Sequence, residues 1–145
     1  MSYQFPLDAV LRIRGIVEEQ EERMLQKILF EITQTLESIE RTNARIAGSD
    51  ATRRADVFKS FVGHNIHASY EEVLALKQAR KELEEKLQKL EQLRDRQLVV
   101  YRGARRNREM LTNICAEKRD AYELEMSKRE QRAVDDNHMA RRERG

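Results

Sequence analysis

The sequence predicts an all-α protein, an antiparallel two-helix coiled-coil hairpin with a short helical segment at the bend. Three observations predict it. Charged residues make up 37% of the 145 positions and hydrophobic ones 39%, the balance of long, solvated helices. Proline occurs once and glycine five times, too few for the turns of an all-β fold. Apolar residues recur at three- and four-residue steps in two long stretches, with glycines between them. The length fits one coiled-coil domain over 1–145.

Helix 1 is expected over about 6–47. Pro6 suits a first turn, where its missing N–H would have no helical partner, and Asp8 places a negative charge near the positive end of the helix. Leu7, Val10, Leu11 and Val17 open an apolar stripe, which Met24, Leu25, Ile28, Leu29, Ile32, Leu36, Ile39 and Ile46 continue. With Leu25, Ile32, Ile39 and Ile46 at d of a heptad, Leu29 and Leu36 fall at a, and Asn43 takes the next a as a polar register residue. Arg14, Gly15, Glu18 and Glu21 interrupt the seam upstream, so pairing is expected to be weaker there.

The bend is expected over about 48–68. Gly48 tolerates the left-handed conformation that ends helices, and Ser49 and Asp50 can cap a short helix over about 51–62, with Val57, Phe58, Phe61 and Val62 along one side. Gly63-His64-Asn65 reads as a turn. Ser69-Tyr70-Glu71-Glu72 has capping-box spacing and opens helix 2, expected over about 69–138 with a frayed tail after it. Val73, Leu76, Leu83, Leu87 and Leu90 form its seam. Tyr101, Ala104, Leu111, Cys115 and Tyr122 continue that seam, and Arg94, Gln97 and Arg108 dilute it. Gly103 lies inside the pattern, costs about 1 kcal/mol against Ala, and marks a bend. Helix 2 outruns helix 1, so part of it lacks an intramolecular partner and another protein is expected to meet it.

Composition also narrows the function. The 28 basic and 26 acidic residues leave a net charge of +2, unlike the global footprint of a nucleic-acid binder. No apolar run approaches the roughly 18 residues of a membrane span, and no secretory signal pattern opens the chain, so direct membrane insertion is not expected. Cys115 stands alone, which excludes an internal disulfide, fits a reducing compartment, and reads as a small buried hydrophobe. There is no catalytic constellation and no GxxxxGK[ST] phosphate loop, so the chain reads as a non-enzyme with no cofactor and no metal centre. His64 and His67 are three apart but lack further ligands nearby, and read as polar residues at a turn.

Two clusters carry competing readings. Arg102, Arg105, Arg106 and Arg108 form either a solubilising stripe or an electrostatic dock for an acidic protein surface. Nucleic acid is the smaller option, since no aromatic platform accompanies them. Phe58, Phe61, Tyr70 and Leu74 flank the bend. Either they pack to close the hairpin or some stay exposed as anchors of a binding patch.

Two stretches resemble a known family. The opening, Phe5-Pro6-Leu7-Asp8-Ala9-Val10-Leu11-Arg12-Ile13-Arg14, resembles the start of the FliJ family of flagellar export proteins, which begin with Phe-x-Leu, then Val/Leu-Leu-x-x-Arg and a Glu-rich helix. The far end, Arg129-Glu130-Gln131-Arg132-Ala133-Val134-Asp135-Asp136, is similar to that family's Glu-Gln-Lys-x-Leu-Asp-Glu pattern, with Arg132, Val134 and Asp136 replacing the usual Lys, Leu and Glu. Length and hairpin layout agree over nearly the whole chain.

The resemblance implies an antiparallel coiled coil of the bacterial cytoplasm, peripherally associated with the cytoplasmic membrane at the flagellar base. Such proteins look like the central stalk of rotary ATPases. They bind the hexameric flagellar export ATPase with the end that holds both termini, and promote its ring form and turnover. They also contact the cytoplasmic domain of the membrane-embedded export gate, and export chaperones are a further partner class. The processes implied are flagellum biogenesis and type III protein export, and through them motility and chemotaxis. On this resemblance Leu7, Leu11, Arg12 and Arg14, joined by Arg129 and Arg132, would face the ATPase. Tyr70 and Leu74 match an aromatic-then-Leu step of the family's gate-binding surface, with Phe58 and Phe61 beside them. The alternatives are the equivalent stalk of a virulence-type type III secretion system, a generic coiled-coil scaffold, and a nucleic-acid-binding hairpin that uses the arginine cluster.

Overall fold

The computed structural model describes residues 6–59 and 63–144, with side chains over 6–55 and 67–144. Those residues form two helices, α1 over Asp8–Lys59 and α2 over Gly63–Arg144, of 52 and 82 residues. The all-helical class expected from composition is what the chain adopts, with no strand among the described residues. Packing gathers the chain into two units. A terminal unit comprises Met1–Gln20 with Arg102–Gly145, and a middle unit comprises Glu21–Tyr101.

Two helices cannot enclose a core, so each buries one stripe against the other. In the middle unit Ile32 and Ile46 of α1 and Val73 and Leu90 of α2 are buried. Leu25, Ile28 and Ile39 are half-buried with Leu76, Leu83 and Leu87. Arg80 reaches Asn43, and Gln97 reaches Glu21, so partners fall along α2 as numbers rise along α1, and the helices run antiparallel. In the terminal unit Cys115 is buried, and Leu11, Val17 and Leu111 are half-buried.

The α2 seam follows the sequence pattern residue by residue. Val73, Leu76, Arg80, Leu83, Leu87 and Leu90 all turn inward, and Gln97, Tyr101, Ala104, Arg108, Leu111 and Cys115 continue the same steps. The α1 seam differs from expectation. Leu29 and Leu36 are 41% and 49% exposed, and Asn43 is exposed, whereas Ile28, Thr35 and Thr42 turn inward, Thr35 to 2%. Each expected residue lies one position, about 100°, round the helix from the residue that replaces it. Two facts favour the observed frame. It carries Glu21 inward to Gln97, and the threonines it buries satisfy their hydroxyls on their own helix. Thr35 Oγ1 donates to the Glu31 carbonyl and Thr42 Oγ1 to the Ser38 carbonyl, both at 2.8 Å.

The bend is also corrected. Helix 1 does not stop near 47, and the expected hinge over 48–68 is helical over 48–59 and 63–68, while residues 60–62 lie outside the described residues. α1 runs through Gly48, Ser49 and Asp50, so the separate short helix is the end of α1. Ser69-Tyr70-Glu71-Glu72 lies inside α2 and caps nothing, because α2 has already begun at Gly63. α2 also continues past 138 to Arg144. The left-handed end expected of Gly48 needs positive φ, and no described glycine adopts it. Around it the stripe continues, with Ile46 buried, Ser49 half-buried, and Asp50 accepting from Arg53 Nη2 at 3.2 Å. That continuity outweighs a glycine penalty of about 1 kcal/mol.

A Cβ added at Gly48 would meet nothing within 4 Å. We therefore expect Gly48→Ala to stabilise the protein by about 0.5–1 kcal/mol in urea unfolding, where a glycine needed for a hinge would lose stability instead.

Candidate partner-binding surfaces

In the terminal unit the chain enters α1 through Pro6 and Leu7, and the Leu11 N–H donates to the Leu7 carbonyl at 2.8 Å. Leu7 and Leu11 are half-buried, while Arg12 and Arg14 are exposed. The large apolar residues that α1 shows to solvent here are Val10, Ile13 and Ile16. Val10 and Arg14 line an open groove with Asn107, Met110, Leu111 and Ile114 of α2. Of the residues expected to face an ATPase, the two leucines thus turn partly inward and the two arginines outward.

Arg129 and Arg132 are also exposed, but the structure does not bring them to the start of α1. Cys115 is the last buried residue of α2, and Arg129 lies about 20 Å farther on at 1.5 Å per residue. From Ala116 to Arg144 every residue but the half-buried Tyr122 is exposed. Arg129 Nε lies 3.7 Å from Glu125 one turn earlier, a pair within the helix.

In the middle unit Tyr70 and Leu74 are each about half exposed, 51% and 49%, one turn apart on α2. Their sequence reading was open between packing and presentation, and the structure presents them. Phe58 belongs to α1, but its side chain lies outside the described residues, as does Phe61 entirely. His67 Nε2 stands 3.1 Å from Glu71 Oε1, and among the described residues no three His, Cys, Asp or Glu side chains gather into a metal-sized cluster. No described helix is long and apolar enough to cross a membrane.

The arginine cluster divides. Arg102, Arg105 and Arg106 are exposed, with Arg105 Nε donating to Glu109 Oε1 at 2.9 Å. Arg108 points into the seam. It donates from Nε to Glu18 Oε2 and from Nη2 to Oε1, the latter at 3.1 Å, a two-pronged grip on a carboxylate. That hydrogen bond holds the Glu18 carboxyl below the usual glutamate range. Partial burial opposes the shift, and the charges of Arg108 and Arg105 assist it. The middle unit has a counterpart in Gln97 Nε2, which donates to the Glu21 carbonyl at 3.1 Å and to its carboxylate. No buried side-chain nitrogen or oxygen among the described residues lacks a partner.

Sequence reasoning one helix at a time sees Glu18, Glu21, Gln97 and Arg108 as breaks in two seams. Laid antiparallel, the breaks coincide, acid against arginine and acid against amide. That matching of interruptions is the signal that would have found both pairs.

The class these features define is an all-helical protein of two long, mutually packed helices with exposed apolar and basic faces. Against known protein families, curated proteins and solved structures, the chain finds no match.

Glu18 releases its proton more readily in the folded than in the unfolded chain. Its charge therefore stabilises the fold at neutral pH, and that contribution disappears as pH falls through the folded-state pKa. We expect Glu18→Gln to lower stability by about 1 kcal/mol near pH 7. The gap between the two proteins should close in acid, in urea titrations across a pH series.

Proposed function

We propose that this chain is a flagellar type III export component of the FliJ kind. It is a non-enzymatic coiled-coil stalk that binds the hexameric export ATPase, favours its ring form and turnover, and couples it to the cytoplasmic domain of the export gate. Its place is the bacterial cytoplasm, peripheral to the membrane at the flagellar base. The observation that carries this reading is the paired stripe. Inward positions alternate by three and four along most of α1 and α2, the spacing that coiled coils require. Beyond Cys115, α2 continues as a helix from Ala116 to Arg144 with every side chain but Tyr122 exposed. A helix that buries so little against the described part of α1 offers most of its surface to another protein. The resemblance at both ends of the sequence supplies the partners, and the half-exposed Tyr70 and Leu74 are available for the gate contact.

The test is to mix the purified chain with the hexameric flagellar export ATPase and follow ATP hydrolysis and ring formation. Stimulation that rises with added chain and saturates is expected, and hydrolysis unaffected at saturating chain would reject the proposal. Y70A with L74A is expected to weaken binding to the cytoplasmic domain of the gate by about tenfold, the loss typical of removing two anchoring side chains. ATPase stimulation and helicity should stay unchanged, since neither residue is buried. Loss of both activities with unfolding would make these residues part of the core.

A further inference from the structure

We infer that the terminal unit is a conformational latch: the first turns of α1, from Asp8 to Gln20, separate from α2 while the middle unit stays paired, and the Glu18–Arg108 ion pair holds them closed. The inference does not depend on the export reading. It rests on how unevenly apolar side chains are distributed between the two units.

The middle unit is closed by four buried aliphatic residues, Ile32, Ile46, Val73 and Leu90. The terminal unit has Cys115 buried, and Leu7, Leu11, Val17 and Leu111 reach only half burial. Around the ion pair the inward positions include Gly15 and Glu18 on α1, and Gly103, Ala104 and Arg108 on α2. The large hydrophobes beside them in this unit, Val17 and Leu111, are only half-buried. A Cβ added at Gly15 or at Gly103 would meet nothing within 4 Å, so the two glycines leave the seam loosely filled there. Closure at this level falls to the two-pronged contact between Arg108 and Glu18. A charged pair depends on both partners in a way that an apolar stripe does not. Removing one leaves the other partly desolvated and uncompensated, and the helices separate where little else holds them.

The chain carries its own reporter. Cys115 is the single cysteine, it lies in the terminal unit, and it is buried. A bulky thiol reagent reaches it when that unit opens. The experiment measures the rate of Cys115 modification by dithionitrobenzoate in the full chain, at one fixed pH and ionic strength. E18R, which sets like charges against each other, is expected to speed labelling by about tenfold, and the milder E18Q by about threefold. The exchanged pair E18R/R108E should bring the rate back to within about threefold of the parent, because the attraction is restored with its sense reversed. C115S/V73C moves the reporter to a buried position in the middle unit, and its labelling should stay slow whether or not E18R is added. Far-UV circular dichroism checks that helicity holds. Unchanged labelling of Cys115 in both E18R and E18Q would overturn the latch. So would failure of the exchanged pair to restore protection, or equal acceleration at V73C, which would mean that the chain unpairs as a whole.

Discussion

Every feature of this protein depends on the fact that two helices present only a line of contact to each other. A globular domain can bury a side chain from several directions. Here an inward residue has one facing helix, and its neighbours along the stripe do the rest. The burial pattern reflects this, with five hydrophobic residues buried among the described ones, none of them completely, and many large apolar side chains left in solvent. Stability therefore accumulates along the seam layer by layer, and each layer is stronger or weaker according to the two or three residues in it. Ile32, Ile46, Val73 and Leu90 make strong layers in the middle unit. Glu18 with Arg108 makes a conditional one in the terminal unit.

The same geometry explains which parts of the structure could be read from the sequence. α2 was readable because one stripe in it dominates. Val73, Leu76, Leu83, Leu87 and Leu90 leave no competing frame, and the polar residues at the same spacing follow them inward. α1 offers two frames, one through Leu29 and Leu36 and one through Ile28 and Thr35. Hydrophobicity alone prefers the leucines. What decides is information from the other helix, the reach of Gln97 to Glu21, together with hydroxyls that can be satisfied locally. A single-helix argument has access to neither. Gly48 was misjudged for a related reason: a glycine permits a helix end but does not impose one, and the stripe on either side of it continued.

The exposure of the candidate residues divides by helix face. Tyr70 and Leu74 stand about half in solvent on α2. Leu7 and Leu11 turn partly inward because they occupy the pairing side of the first turns, which leaves Val10, Ile13 and Ile16 as the large exposed apolar residues there. The arginine run at 102–108 looked uniform in sequence, yet one helical step turns Arg108 into the seam and leaves Arg102 and Arg106 outside. Residue type indicated that these positions were unusual, and only the angle around the helix axis sorted them by role.

The stretch of α2 past Cys115 has a consequence of its own. From Ala116 to Arg144 it is helical with almost no side chain covered, so its hydrogen bonds depend mainly on the helix–coil equilibrium. Warming melts such a segment gradually, without a sharp transition. The total ellipticity of this chain thus adds two independent signals, a sloping one from the overhang and a sigmoidal one from the zipped portion. A melting curve read at 222 nm understates the cooperativity of the latter unless the slope is subtracted first.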